Sequence, residues 1–303
     1  VPAPQLKLPG GNEAIELSGT PFFPQKRYQC GPAALATALG ASGVDVTPDD
    51  LVADVYLPGR HGSLQAELIA ATRRYQRVAT QIEPDLEGLV QELRAGHPPL
   101  LLLNLGFSWL PVWHYAVVVG YEPQSSSFIL RSGTRKRARM SAAELMRSWA
   151  YSDRWAVIVS GLQTPPATAT AVQWLTAVAP YESLGKLDDA ERGYRAATMR
   201  WPDSALAWTA LGNIDARRAE WIAAIAAYNR ALELGDDIVT LNNRASALGS
   251  LQCRRLALGD LDRAAALDVD RRYAAALGDT RTELPPLDHC SADSVDRLAE
   301  SAP

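Results

Sequence analysis

Two side chains in this sequence have the types and surroundings to do covalent chemistry together. Cys30 stands directly before Gly31-Pro32 and a small, apolar run, Ala33-Ala34-Leu35. A proline in the first turn suits a helix start, so the thiol is expected at a helix N-terminus. Backbone N–H groups at such an end carry partial positive charge and favour a thiolate, the form of cysteine that attacks. A nucleophile of this kind needs a base nearby. His114 opens the run Tyr115-Ala116-Val117-Val118-Val119-Gly120-Tyr121, a strand-like stretch that reads as buried. Taken alone, His114 reads as a hydrogen-bonded core histidine; alongside Cys30 it reads as the general base and acid. His61, His97 and His289 lack such company and read as surface or loop residues.

The elements that must position this pair follow from local signals. A short helix is expected from Cys30 to Gly40, with Gly40 as its stop, and Thr47-Pro48-Asp49-Asp50 marks the start of a second. Leu64 to Tyr75 and Asp85 to Ala95 have helical periodicity. From Pro98 onward the text becomes β-like: Leu100 to Leu103, His114 to Tyr121, Ser127 to Arg131 and Trp155 to Ser160. Helices followed by an antiparallel sheet make an α+β domain over 21–162, after an extended lead-in over 1–20. Residues 163–170 (Gln-Thr-Pro-Pro-Ala-Thr-Ala-Thr) read as a linker.

The segment Gln25…Cys30-Gly-Pro-Ala-Ala-Leu resembles the C39 bacteriocin-processing cysteine peptidases, a papain-like family that cleaves leader peptides after a double glycine. The resemblance covers about residues 20–160 and implies a papain-like fold and peptide hydrolysis. It makes Cys30 the nucleophile and His114, at the head of its hydrophobic strand, the base. The family's glutamine, which donates to the oxyanion, falls on Gln25. That residue lies five positions before the cysteine, one fewer than is usual, while adjacent Gln29 points elsewhere. The family places an Asp before Pro at the end of the next strand. Here that strand reads Phe128-Ile129-Leu130-Arg131-Ser132-Gly133, so Arg131 or Ser132 occupies the place. Ser132 could accept a hydrogen bond from the imidazole, and a backbone carbonyl or the distant Asp153 are alternatives. The function implied is a cysteine peptidase acting on an extended peptide. Its alternatives are a catalytically weak or inactive peptide-binding adaptor and acyl transfer by the same dyad.

After residue 170 the strand signals stop. Trp174, Ala177, Tyr181, Ala190, Tyr194, Ala197 and Pro202 recur 34 residues later as Trp208, Leu211, Asp215, Ala224, Tyr228, Ala231 and Asp236. This period, with Trp208-Thr-Ala-Leu211-Gly212, resembles the tetratricopeptide (TPR) repeat, in which small residues let two helices approach and aromatics fill the gap. The resemblance implies an all-α solenoid over 171–303, with repeats at about 171–204, 205–237 and 238–268, then a capping helix over 271–282. Such arrays commonly present a concave groove to a protein partner.

Bulk properties narrow the rest. The 303 residues are 47% hydrophobic with a net charge of −4, which suits two soluble domains and gives no support to a nucleic-acid or anionic-membrane function. No apolar run is long enough to span a bilayer. Neither a phosphate loop nor metal-ligand spacing is present, so no metal or cofactor is expected. Cys253 and Cys290 lie 37 residues apart. Either they form a disulfide, leaving Cys30 free, or all three cysteines are reduced in a cytosolic protein. The start Val1-Pro2-Ala3-Pro4 reads as a trimmed terminus, which favours a periplasmic or secreted bacterial protein over a cytoplasmic one and would suit a tether behind a lipid anchor. Gly10-Gly11 is a double glycine, a weak sign of self-processing. Arg135-Lys136-Arg137-Ala138-Arg139 reads as a solvated basic hairpin. Trp109, Trp113 and Tyr115 flank the histidine and suit either a substrate groove or the core.

Overall fold

The computed structural model describes residues 13–290 except 27 and 84; Val1–Pro4 and Gly10-Gly11 lie outside them. The chain divides into two compact units between Ala177 and Val178. In the first, the order is β1 (Ile15–Glu16), α1 (Cys30–Ala41), α2 (Pro48–Val55), α3 (Gln65–Thr72), β2 (Arg77–Ile82), α4 (Leu86–Arg94), β3 (Leu100–Asn104), β4 (Trp113–Glu122), β5 (Ser127–Ser132), β6 (Arg135–Ser141), α5 (Ala142–Ala150) and β7 (Ala156–Gly161). The strands form one seven-stranded antiparallel sheet in the order β2-β7-β3-β4-β5-β6, with β1 added beside β4. The expected α+β character is present, but the helices do not all come first. β2 lies between α3 and α4, and α5 interrupts the strands. The end of the expected lead-in is also part of the sheet, since Ile15 pairs with Tyr121 and the Leu17 N–H donates to Val119 O at 2.7 Å.

Helix α1 is buried along most of its length, from Gly31 to Leu39. Leu35 and Leu39 pack with Tyr115, Val117 and Val119, which lie on one face of β4, and with Leu51, Val55 and Leu68 of α2 and α3. Burying one such leucine contributes about 2 kcal/mol, so the helix that carries Cys30 is clamped against the strand that carries His114. The expected stop at Gly40 needs correction. The helix runs to Ala41, and the left-handed residue that ends it is Gly43, with φ +86. Gly40 is small for a different reason: a Cβ there would stand 2.8 Å from Pro21 Cγ. The Thr47 signal forms the capping box it suggests, with the Thr47 N–H donating to Asp50 Oδ2 at 2.9 Å.

Segment 163–170 is held to the first unit. Glu92 of α4, fully buried, accepts from the N–H groups of Ala167 (3.1 Å) and Thr168 (2.6 Å) and from Thr168 Oγ1. It also hydrogen-bonds His97 Nδ1 at 3.0 Å, so His97 is a structural partner rather than a bystander. Helix α6 (Ala171–Val178) follows and reaches the division.

The second unit is helical: α7 (Pro180–Ser183), α8 (Leu187–Arg200), α9 (Ala205–Arg217), α10 (Trp221–Glu233), α11 (Ile238–Ser250), α12 (Arg254–Leu267) and α13 (Ala274–Glu283). Each packs against the next, and α9 touches α11 as α11 touches α13. Small residues set the approach. A Cβ on Gly212 would come within 2.5 Å of the Tyr228 ring, and one on Gly193 within 2.7 Å of Val178. Ser204 and Asp237 cap α9 and α11 by accepting from the N–H groups of Ala207 and Thr240. The Arg244 guanidinium of α11 donates to both Asp260 oxygens of α12 (2.6 and 2.7 Å) and to Asn229 of α10. Cys253 and Cys290 are disulfide-bonded, tying the start of α12 to the chain beyond α13. Among the described residues, no helix is long and apolar enough to cross a membrane.

Candidate active site

Cys30 is the first residue of α1 and the free thiol of the protein, partly exposed at the helix's positive end. Its neighbour Gly31 must be glycine because Ser63 sits over this turn: a Cβ would meet Ser63 Oγ at 2.2 Å. The Tyr115 hydroxyl donates to the Ser63 carbonyl at 3.2 Å, fixing that lid residue to β4. Burial, reinforced by the nearby Cys30, pushes the Tyr115 phenol well above its ordinary value, so it stays neutral and donates.

Cys30 lines a small cavity with Gln25, Tyr115, Arg131, Ser132 and the apolar ring of Phe23. Its free volume is about 10 Å³, near the room a single water needs. Gln25 reaches it because its backbone N–H donates to Gly133 O at 3.1 Å, pinning the segment before α1 to the β5–β6 turn. Gly133 has φ +60, which glycine accepts without strain. Gln29, at the N-cap position, makes no capping bond, and its Oε1 is buried without a partner.

His114 is buried at the head of β4 and shares a 2.8 Å hydrogen bond between Nε2 and Ser132 Oγ. The strand register brings the two near each other: Val117, three residues after His114, lies opposite Arg131, the residue before Ser132. Burial holds the imidazole below its ordinary pKa, so at neutral pH it is uncharged and able to accept a proton. Of the alternatives for orienting this ring, Ser132 is the one hydrogen-bonded to it among the described residues. Asp153 is exposed in the turn after α5, and among the described residues the side-chain hydrogen bond of His114 goes to Ser132 instead. Arg131 turns away: its guanidinium donates to the carbonyls of Ser18, Thr20 and Lys136 and lies 4.0 Å from Glu16.

The structure therefore brings Gln25, Cys30 and Ser132 to one cavity and joins His114 to it through Ser132. Among the described residues, no hydrogen bond links Cys30 directly to His114. Tyr115 is core, with its ring edge-on to Trp155 at 5.8 Å, while Trp109 and Trp113 are exposed. His61 stacks obliquely on Tyr28, 5.1 Å between centroids, two residues before Cys30. The basic hairpin is partly neutralised, with Arg137 on Glu16 and Arg139 on Glu122. Ser63 was the residue sequence reasoning missed. The demand for glycine after Cys30 hints that something crosses the helix start, but not what. Among the described residues no cluster of three or more His, Cys, Asp or Glu is placed to hold a metal.

Residues 17–157 match the family model for the Peptidase_C39 like family, so this part of the chain is similar to that family. A C39-like peptidase candidate from Bacillus anthracis is similar at 17% identity, over 48% of this chain and 97% of that one, with a TM-score of 0.41. A double glycine motif protease from an AMS/PCAT transporter, solved with its leader peptide, is similar at 19% identity over 46% and 91%, TM-score 0.37. The TPR2B domain of yeast Sti1, solved as a complex with pHsp70, is similar at 20% identity over 37% and 94%, TM-score 0.35. No curated protein sequence matches significantly.

Proposed function

We propose that this protein is a two-domain cysteine peptidase that cleaves an extended peptide segment, with TPR repeats in the second domain recruiting a protein partner. The observation that carries the reading is the His114–Ser132 bond at 2.8 Å beside the cavity that Cys30 and Gln25 line. With Nε2–H donating to Ser132, the lone pair of the imidazole sits on Nδ1, the nitrogen left to take the thiol proton. The thiolate attacks the scissile carbonyl, Gln25 donates to the oxyanion, and His114 returns the proton to the leaving amine. Water then hydrolyses the thioester. Ser132 holds the ring in place of a carboxylate; being neutral, it orients the imidazolium without stabilising its charge, which suits slow or specialised turnover.

The helical pairs, with Gly212 against Tyr228 and aromatic residues at a 34-residue period, support the TPR assignment for the second domain. The Cys253–Cys290 disulfide supports a periplasmic or secreted location, because such bonds persist in oxidising compartments.

A second reading, an inactive peptide-binding adaptor, is favoured by the lack of a direct Cys30–His114 hydrogen bond among the described residues. Alkylation separates the two. With the other cysteines bonded to each other, iodoacetamide reports on Cys30 alone. An activated thiol should react nearly as fast at pH 6.5 as at pH 8.5, whereas an ordinary thiol slows about 50-fold over that range. Ser132→Asp should then raise the rate of peptide hydrolysis. An ordinary alkylation profile with no hydrolysis would leave the adaptor.

A further inference from the structure

The loop that ends at His114 has a surface the peptidase reading does not use. Of the nine residues Leu105 to Trp113, six are large and apolar (Leu105, Phe107, Trp109, Leu110, Val112 and Trp113), and all six are exposed, Trp109 by 76% and Phe107 by 65%. The other three are Gly106, Ser108 and Pro111, so the stretch carries no charge. Scattered exposed apolar residues are ordinary; a contiguous uncharged set of this kind marks an interaction surface. The rings of Phe107 and Trp109 stack at 5.5 Å with 9° between their planes, making one flat apolar tip.

Most N–H groups of the hairpin are satisfied from within. The Leu105 N–H donates to Val112 O (2.9 Å), while Phe107 and Leu110 exchange N–H···O bonds (3.1 and 3.2 Å). Buried Asn104 closes the base: its Oδ1 accepts from the Gly106 and Val112 N–H groups, both at 2.9 Å, and its Nδ2 reaches Phe107 O at 3.4 Å. Pro111 has no N–H to satisfy. The N–H groups of Ser108 and Trp109 stand at the turn itself. A segment that binds an extended peptide by strand addition needs the reverse, a row of open N–H and C=O groups. N–H groups paired internally, absence of charge and a protruding aromatic end suit the hydrocarbon interface, since each unpaired N–H there costs several kcal/mol and Trp favours the headgroup level.

We propose that the Leu105–Trp113 hairpin is a lipid-interface anchor that inserts its Phe107–Trp109 tip into a neutral bilayer surface. Docked this way, the protein holds His114, the next residue, at the membrane surface, where it would meet peptides presented at or emerging from the bilayer. The anchor itself does not depend on Cys30 being active.

Flotation of the full chain with pure dioleoylphosphatidylcholine vesicles tests this directly. Wild type should float with the vesicles, and binding should survive a change from about 0.1 M to about 1 M salt, because it needs no ion pairing. The double variant Phe107→Ser/Trp109→Ser should lose about tenfold or more in partitioning with an unchanged thermal melt, while Met199→Ser, equally exposed but in the second unit, should not. Failure of wild type to bind, equal binding by the double variant, or binding only to anionic phosphatidylglycerol vesicles with loss in high salt would each overturn the anchor. So would a double variant that shifts a dimer to monomer, or weakens peptide affinity, with no vesicle binding by wild type. The Cys30 alkylation profile is measured separately, so failure of the anchor and failure of the peptidase reading remain distinct.

Discussion

Two buried carboxylates, one in each unit, meet opposite fates. Glu92 in the first unit is fully buried, which by itself raises a carboxyl pKa, yet hydrogen bonds from His97, Thr168 and Ala167 outweigh burial and hold it below its ordinary value. Asp215 in the second unit is as deeply buried, but its Oδ1 has no partner. Burial pushes it up to about 6, with Arg195 pulling down and Glu191 and Glu220 pushing up. Donor supply, more than depth, decides whether a buried acid ties a fold together or strains it. Asp215 also stands where the 34-residue period places Tyr181, so one repeat carries an acid in the aromatic's position.

The contrast breaks most sharply at Glu92. Glu92→Gln keeps the shape but sets an NH2 group against donors, and should cost about 3 kcal/mol in urea unfolding at pH 7. Because the folded-state pKa of Glu92 is depressed, its contribution is present above the unfolded value of 4.5 and fades as pH falls through the lower folded value. The gap between wild type and variant should therefore narrow toward pH 3. Asp215→Asn runs the other way. An acid with a raised folded pKa penalises the fold above about 6, and the penalty is relieved as pH falls from there toward the unfolded value near 3.8. The variant should gain on the order of 2 kcal/mol at pH 7 and nothing by pH 4. A destabilised variant at pH 7 would show that Asp215 has a partner in solution. The smallest effect is at His97, whose ring is partly exposed; His97→Ala should cost about 1 kcal/mol, and in the Glu92→Gln background much less, as a double-mutant cycle would show.

Much of the site was legible locally. The helix start at Cys30 is written in Gly31-Pro32, and the strand headed by His114 in its apolar run. Helix α5 carried a local signal that the sequence reading did not use: Ser141-Ala-Ala-Glu144 is a capping box, and both of its reciprocal bonds form. Strand β2 was harder, since Arg77-Val-Ala-Thr-Gln-Ile follows α3 without Gly or Pro, the turn being made by Gln76 at φ +53. The linker at 163–170 had loop composition, and its ordering depends on a glutamate more than 70 residues earlier.

What the sequence determined by itself was whatever depends on neighbours within a turn or two: the caps, the 34-residue period, the thiol at its helix end. The choice between Arg131 and Ser132 as the partner of His114 was a tertiary decision. It turned on the β4–β5 register and on the carbonyls of Ser18 and Thr20, more than 110 residues distant, which draw the guanidinium away. Side-chain direction on a strand is local, but which face of a sheet offers acceptors to a buried cation is known only once the strands have paired.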